Sequence, residues 1–131
     1  MNTKGIARLL PSIMVLILGA SLSACVTLLA TNPEIPLRAR VGREFSIVIP
    51  SNPSTGYRWV LVEASLPDNL ANTGTRYVPD NAAVGLAGAG GKSVWTFRAA
   101  TVVDVVLRFE QYPPAANAEP VATLEFRVIV E

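Results

Sequence analysis

The chain has 131 residues, half of them hydrophobic and 16% charged, with a formal net charge of +1 and no histidine. A length of this order holds one domain, and the near-neutral balance gives no sequence-independent attraction to a nucleic-acid backbone. Without imidazole, the commonest general base and the commonest metal ligand are both missing.

In chain order, the first 24 residues read as an export signal. Lys4 and Arg8 form a positive region, an apolar run from Leu9 to Leu18 follows, and small residues lead to Leu22-Ser23-Ala24-Cys25. This ending resembles the bacterial lipobox, which implies that Cys25 is the lipidated first residue of the mature protein. The alternative is an uncleaved anchor over residues 9–30, nearly long enough to span a bilayer; Pro11, Gly19 and the interspersed serines and threonines weaken it. Cys25 is the only cysteine, so an exported chain has no disulfide partner for it. A diacyl group on the thiol and an acyl chain on the new amine suffice for stable attachment. The expected location is the bacterial cell envelope, periplasmic or surface side, with the membrane as a partner through the N-terminal lipid. The remaining 107 residues carry a net charge of −1 and are enough to bury a core without disulfides.

Residues 25–35 read as the lipidated N-terminus and a tether, since Pro33 and Pro36 oppose helix. Residues 36–131 read as the domain, and period-two patterns dominate from Leu37 onward. Phe45, Ile47 and Ile49 alternate with Glu44, Ser46 and Val48, which places the second set on the solvent side. After a corner at 51–56, Tyr57, Trp59 and Leu61 alternate with Arg58, Val60 and Val62. Residues 63–73 read as a connection turning at Pro67-Asp68-Asn69, with a short strand from Thr75 to Val78. Trp95 and Phe97, then Val103, Val105, Leu107 and Phe109, then Leu124, Phe126, Val128 and Val130 mark the later strands. Six or seven short strands with turn residues between them predict an all-β, antiparallel β-sandwich.

The chemistry left to such a domain is narrow. With Cys25 assigned to lipid, thiol nucleophiles and thiolate metal sites are gone, and the carboxylates are scattered without a pair in one loop. A serine or threonine with a lysine base would need Lys92, the one lysine beyond the signal, which follows a glycine run and not a nucleophile motif. Binding is therefore expected in place of catalysis, with no cofactor, no metal and no small-molecule substrate. Three loops are candidates, 51–57, 85–92 and 110–117, and alternate connections of a sandwich fall at one end. Each has a plain reading by itself: a corner set by Pro53 and Gly56, a flexible glycine linker, a stiff proline turn.

Together these loops resemble the chagasin family, exported inhibitors of papain-like cysteine proteases. Asn52-Pro53-Ser54-Thr55-Gly56-Tyr57 followed by Trp59 matches the family's first signature, Asn-Pro-Thr-Thr-Gly-Tyr-x-Trp, with Ser54 as the single change. Gly88-Ala89-Gly90-Gly91 matches its glycine-rich second signature. The third departs: where members carry Arg-Pro-Trp, this chain has Glu110-Gln111-Tyr112-Pro113-Pro114, with Tyr112 standing for the aromatic contact and the prolines for stiffness. The resemblance spans residues 36–131 and implies an immunoglobulin-like sandwich of about seven strands. It also implies reversible, tight-binding inhibition of a papain-like protease, with Thr55 nearest the catalytic cysteine.

A wedge that fills a protease cleft without offering a carbonyl to the thiolate blocks the cleft and survives. Pro53 restricts the loop before binding and so lowers the ordering cost, while Gly56, lacking a Cβ, lets the backbone come close. The Gly88–Gly91 run is suited to pair backbone to backbone with the cleft. Tyr112 and Pro113 would flank it, tyrosine being a residue type enriched at interface hot spots. Tyr57 and Trp59 sit on the restarted apolar face and read as supports of the loop base, and Trp95 as core. On this reading Thr55→Arg or Gly56→Val abolishes binding while the fold survives. The rival is an immunoglobulin-like envelope lipoprotein that binds another component through a sheet face or edge, leaving Thr55 and Gly56 dispensable.

Overall fold

Strands form where apolar side chains recur every second residue and two faces must be told apart. The computed structural model describes residues 26–80 and 90–131. Eight strands run through them: β1 (Leu28–Ala30), β2 (Leu37–Ala39), β3 (Glu44–Ser51), β4 (Arg58–Leu61), β5 (Leu70–Pro79), β6 (Gly91–Ala99), β7 (Val103–Tyr112) and β8 (Ala122–Val130). One sheet has the order β1-β3-β6-β5 and the other β2-β8-β7-β4. Lettered along the chain as A, A′ and B to G, these are the ABED and A′GFC sheets of an immunoglobulin-like sandwich, as the family resemblance implied.

The core is the inward face of both sheets. Phe45, Ile47, Phe97, Leu107, Phe109 and Val128 are fully buried. Trp95 of the first sheet meets Phe109 of the second with ring centroids 4.9 Å apart, and Phe109 stands edge-on to Phe126 at 5.9 Å. The expected alternation holds along β7 and β8, and Trp95 is core as expected.

Four details differ from the sequence reading. The supposed tether contributes β1, whose Ala30 is buried beside Ile47. Both β1 and β2 pair in parallel, with β3 and β8, so the two sheets are mixed and not wholly antiparallel. The switch between sheets comes over Pro33 and Pro36, whose fixed φ and missing donors keep the segment between the two ladders unpaired, and Asn32 accepts from the Glu34 and Ile35 amides. On the outward side of β3, Ser46 and Val48 are buried instead of solvated. Ser46 and Thr96 share a 2.9 Å hydroxyl bond, and Val48 lies opposite Val94. Finally, β5 starts at Leu70, directly after the predicted Pro67–Asn69 turn, and the register shift between Asn72 and Gly74 hides its period.

Candidate functional site

The β3–β4, β5–β6 and β7–β8 connections all lie at one end of the sandwich, because β3, β5 and β7 run toward it and their partners return. The predicted signal segment with Cys25, and Gly88 and Ala89 of the second loop, lie outside the described residues.

The first loop is a single 3₁₀ turn over Pro53–Thr55, closed by Gly56 in the left-handed region at φ +81°. Its bonds are internal. The Thr55 amide and hydroxyl both donate to the Asn52 carbonyl, at 3.2 and 2.7 Å. The Ser54 hydroxyl donates to Asn52 Oδ1 at 2.6 Å, and the Gly56 amide to the Pro53 carbonyl at 3.0 Å. Asn52 thus organises the turn, and the signature's hydroxyl position is used inside it. The Pro53–Tyr57 residues are all exposed, as a projecting tip requires. Trp59 supports the base as expected: it packs on the core, and its indole N–H donates to the Pro50 carbonyl at 3.2 Å. Tyr57 does not share that role. It is 40% exposed and lines a groove beside the loop.

The second loop is narrower than expected at its C-terminal side. Gly91 is not loop but the first residue of β6, in register with both Ser51 and Pro79. A Cβ there would collide with the Tyr77 hydroxyl and the Val78 carbonyl, so this glycine serves close strand packing. Gly90 lies outside the strand, and among the described residues only the Ser51 carbonyl is within 4 Å of where its Cβ would be. The neck of the loop is closed by the Asp80 amide donating to the Gly90 carbonyl and by a 2.9 Å Lys92–Asp80 ion pair.

The third loop also begins later than expected, since β7 runs through Tyr112, which pairs with Arg58. Tyr112 points to the outer face of the sheet. Its hydroxyl donates to Glu110 Oε2 at 2.7 Å, and the Arg58 guanidinium stands 5.4 Å from its ring centroid. The bond to Glu110, with burial a smaller cause, raises the phenol above its ordinary range. Beyond it, Pro113 starts a tight turn through the Ala115 amide, and Asn117 takes a positive φ of 56°.

Two features of the site were not legible beforehand. An open groove of about 540 Å³ lies between the first loop and the β5–β6 neck, lined by residues that include Pro50, Thr55, Tyr57, Asp80 and Gln111. Gln111 could have been placed there by counting two residues on from the core position Phe109. The other is that the first and third loops touch: a Cβ on Gly56 would stand 2.6 Å from Pro114 Cβ. The side of Gly56 that lacks a side chain therefore faces Pro114 and not open space. Among the described residues, no group of three or more acidic residues, histidines or cysteines could hold a metal ion.

Comparison with known proteins bears on the family and the fold. The family model described as "Chagasin family peptidase inhibitor I42" matches residues 38–130. A search of curated proteins finds no match. Among solved structures, the fold is similar to the cysteine protease inhibitor EhICP2 of Entamoeba histolytica, with a TM-score of 0.64 and 19% identity over 80% of this chain and 96% of that one. Amebosin gives 0.58 at 26% identity over 81% and 99%. PbICP-C, solved in complex with falcipain-2, gives 0.50 at 18% over 80% and 91%.

Proposed function

The chain belongs to the chagasin family of peptidase inhibitors, and from that premise we propose that it inhibits papain-like cysteine proteases reversibly, by seating its three-loop end in the active-site cleft. The observation that carries this reading is the first loop: a projecting 3₁₀ tip whose signature is changed only at Ser54, held by its own hydrogen bonds before any partner arrives. A tip ordered in advance loses little conformational freedom on binding. The turn also offers no extended scissile bond in the register a substrate would present. PbICP-C, which shares the fold and was solved in complex with falcipain-2, supports a protease as the partner.

Thr55, Gly56 and Tyr57 are proposed to meet the catalytic centre, with the segment around Gly88–Gly90 on one flank and the third loop on the other. We further propose that Cys25 carries the lipid of an exported envelope protein. The order of charge, apolar run and Leu-Ser-Ala-Cys supports this, as does the start of the folded domain within a few residues of Cys25.

The test is titration of papain and a cathepsin-L-like protease with residues 26–131 of the chain, alongside Thr55→Arg. Tight, reversible inhibition by the uncleaved wild type, reduced at least about a hundredfold by Thr55→Arg, a loss of the hot-spot order, is expected. A folded domain that leaves both enzymes active at micromolar concentration would overturn the reading. Gly56→Val is not a clean probe, because its side chain would strike Pro114 and its φ is unfavourable for valine.

A further inference from the structure

We propose that the third loop acts inward: Pro114 is a positioning residue that sets the first loop's inhibitory tip, and the tyrosine of the departed third signature locks that loop's stem. This rests on the inhibitor reading and gives the third loop a task besides flanking the protease.

Three observations converge on it. Gly56 closes the 3₁₀ turn at φ +81°, and the space a side chain would fill is taken by Pro114 Cβ and Cγ. The first loop is thus pressed on its glycine side by a ring from another connection, more than fifty residues away in the chain. The base of the third loop is itself fixed. Tyr112 is bonded to Glu110 and covered by Arg58, and the Val121 amide donates to the Gln111 carbonyl at 2.8 Å to close the stem. Lastly, the aromatic ring is on the outer face of β7 with its hydroxyl engaged by its own strand. It fastens β4 to β7 at the point where the chain leaves the first loop.

The physical consequence follows from population. A short turn held by four internal bonds and exposed along its length opens locally at low cost. A rigid proline ring against Gly56 removes many of the open states. Weakening that contact lowers the fraction of molecules with a competent tip, and apparent affinity falls in proportion.

The experiment compares wild type, Pro114→Ala and Pro114→Gly in residues 26–131, measuring papain inhibition, amide exchange and thermal unfolding. Pro114→Ala keeps the Cβ nearest Gly56 and loses the ring; Pro114→Gly loses both. The expected result for Pro114→Gly is amide exchange at Thr55 and Gly56 faster by roughly tenfold, because exchange follows the open fraction, and an inhibition constant higher by about twofold or more, because it follows the loss of the closed fraction. Pro114→Ala should fall between the two, with core amides of β3 and β6 unmoved in both variants. A changed inhibition constant with unchanged exchange would make Pro114 a direct contact and overturn the proposal. So would faster exchange without any loss of inhibition, or no change in either. A wild type that inhibits no papain-like protease would sink the inhibitor reading itself, and the exchange measurement alone would then decide whether the loops are interlocked.

Discussion

Gly90 and Gly91 are neighbours under opposite constraints. A Cβ on Gly91 would collide with Tyr77 and Val78, whereas one on Gly90 meets, among the described residues, only a carbonyl at 3.9 Å. Gly91→Ala is therefore expected to destabilise by about 1–3 kcal/mol, the usual cost of overpacking, and Gly90→Ala by less than about 0.5 kcal/mol; urea unfolding of the two variants checks this. The sequence shows a uniform glycine run, and the division within it depends on the register of β5 against β6, which no local pattern records. Gly56 is the reverse case: its position was legible from the motif, but its reason, the Pro114 ring, lies in a loop distant in sequence. Tyr112 supplies a second residue-scale prediction. Its phenol is held above the ordinary range by the bond to Glu110, so the neutral form is favoured in the folded state. That contribution is fully present below the unfolded pKa and is lost as pH rises through the folded value. Ultraviolet titration should show the Tyr112 phenol ionising above the ordinary tyrosine range, and Glu110→Gln should lower it.

At the scale of elements, β7 and β8 were readable because their two faces differ sharply. Phe109, Leu107, Phe126 and Val128 fill the core while the outward positions carry Arg108–Glu125 and Arg127–Asp104 ion pairs, both at 2.8 Å. These pairs are exposed, and such pairs contribute little to stability. Their signature is in titration instead. The Arg127 guanidinium bonded to Asp104 holds that carboxyl below its ordinary value. A depressed carboxyl contributes stability above its unfolded pKa and loses it as pH falls through the folded one. Carboxyl NMR should find Asp104 titrating at lower pH than an exposed aspartate, and Arg127→Gln should raise it. The elements that were not readable are those without two distinct faces. β5 is an edge strand exposed from Ala71 to Tyr77 with a bulge inside it, and β1 is three residues long, too short to show a period.

For the molecule as a whole, the sandwich and its loop order followed from strand count and turn spacing, but the mode of entry did not. Family matching begins at residue 38, and a domain cut there or at residue 36 would look complete. The structure includes β1, with Ala30 packed in the core and a three-residue ladder along β3. A chain starting at residue 36 should therefore be less stable than one starting at 26 by roughly 1–3 kcal/mol, from lost apolar burial and ladder hydrogen bonds. It should also expose β3 as a new sheet edge, a site for self-association. Thermal unfolding and light scattering on the two lengths test both effects.

The parallel pairing of β1 with β3 also sets the direction from which the chain enters the domain. Leu28 is level with Phe45, six residues before β3 ends at Ser51, so the chain enters the sandwich about 20 Å below the loops at ~3.3 Å per residue. The other terminus leaves from the same pole, where the Glu131 amide bonds the Ala39 carbonyl. With lipid on Cys25, a bilayer would sit beneath the domain and the three loops would stand clear of it like the head of a buoy. A protease arriving from the aqueous side would meet the wedge unobstructed, and a cargo fused after Glu131 would ride on the shielded pole.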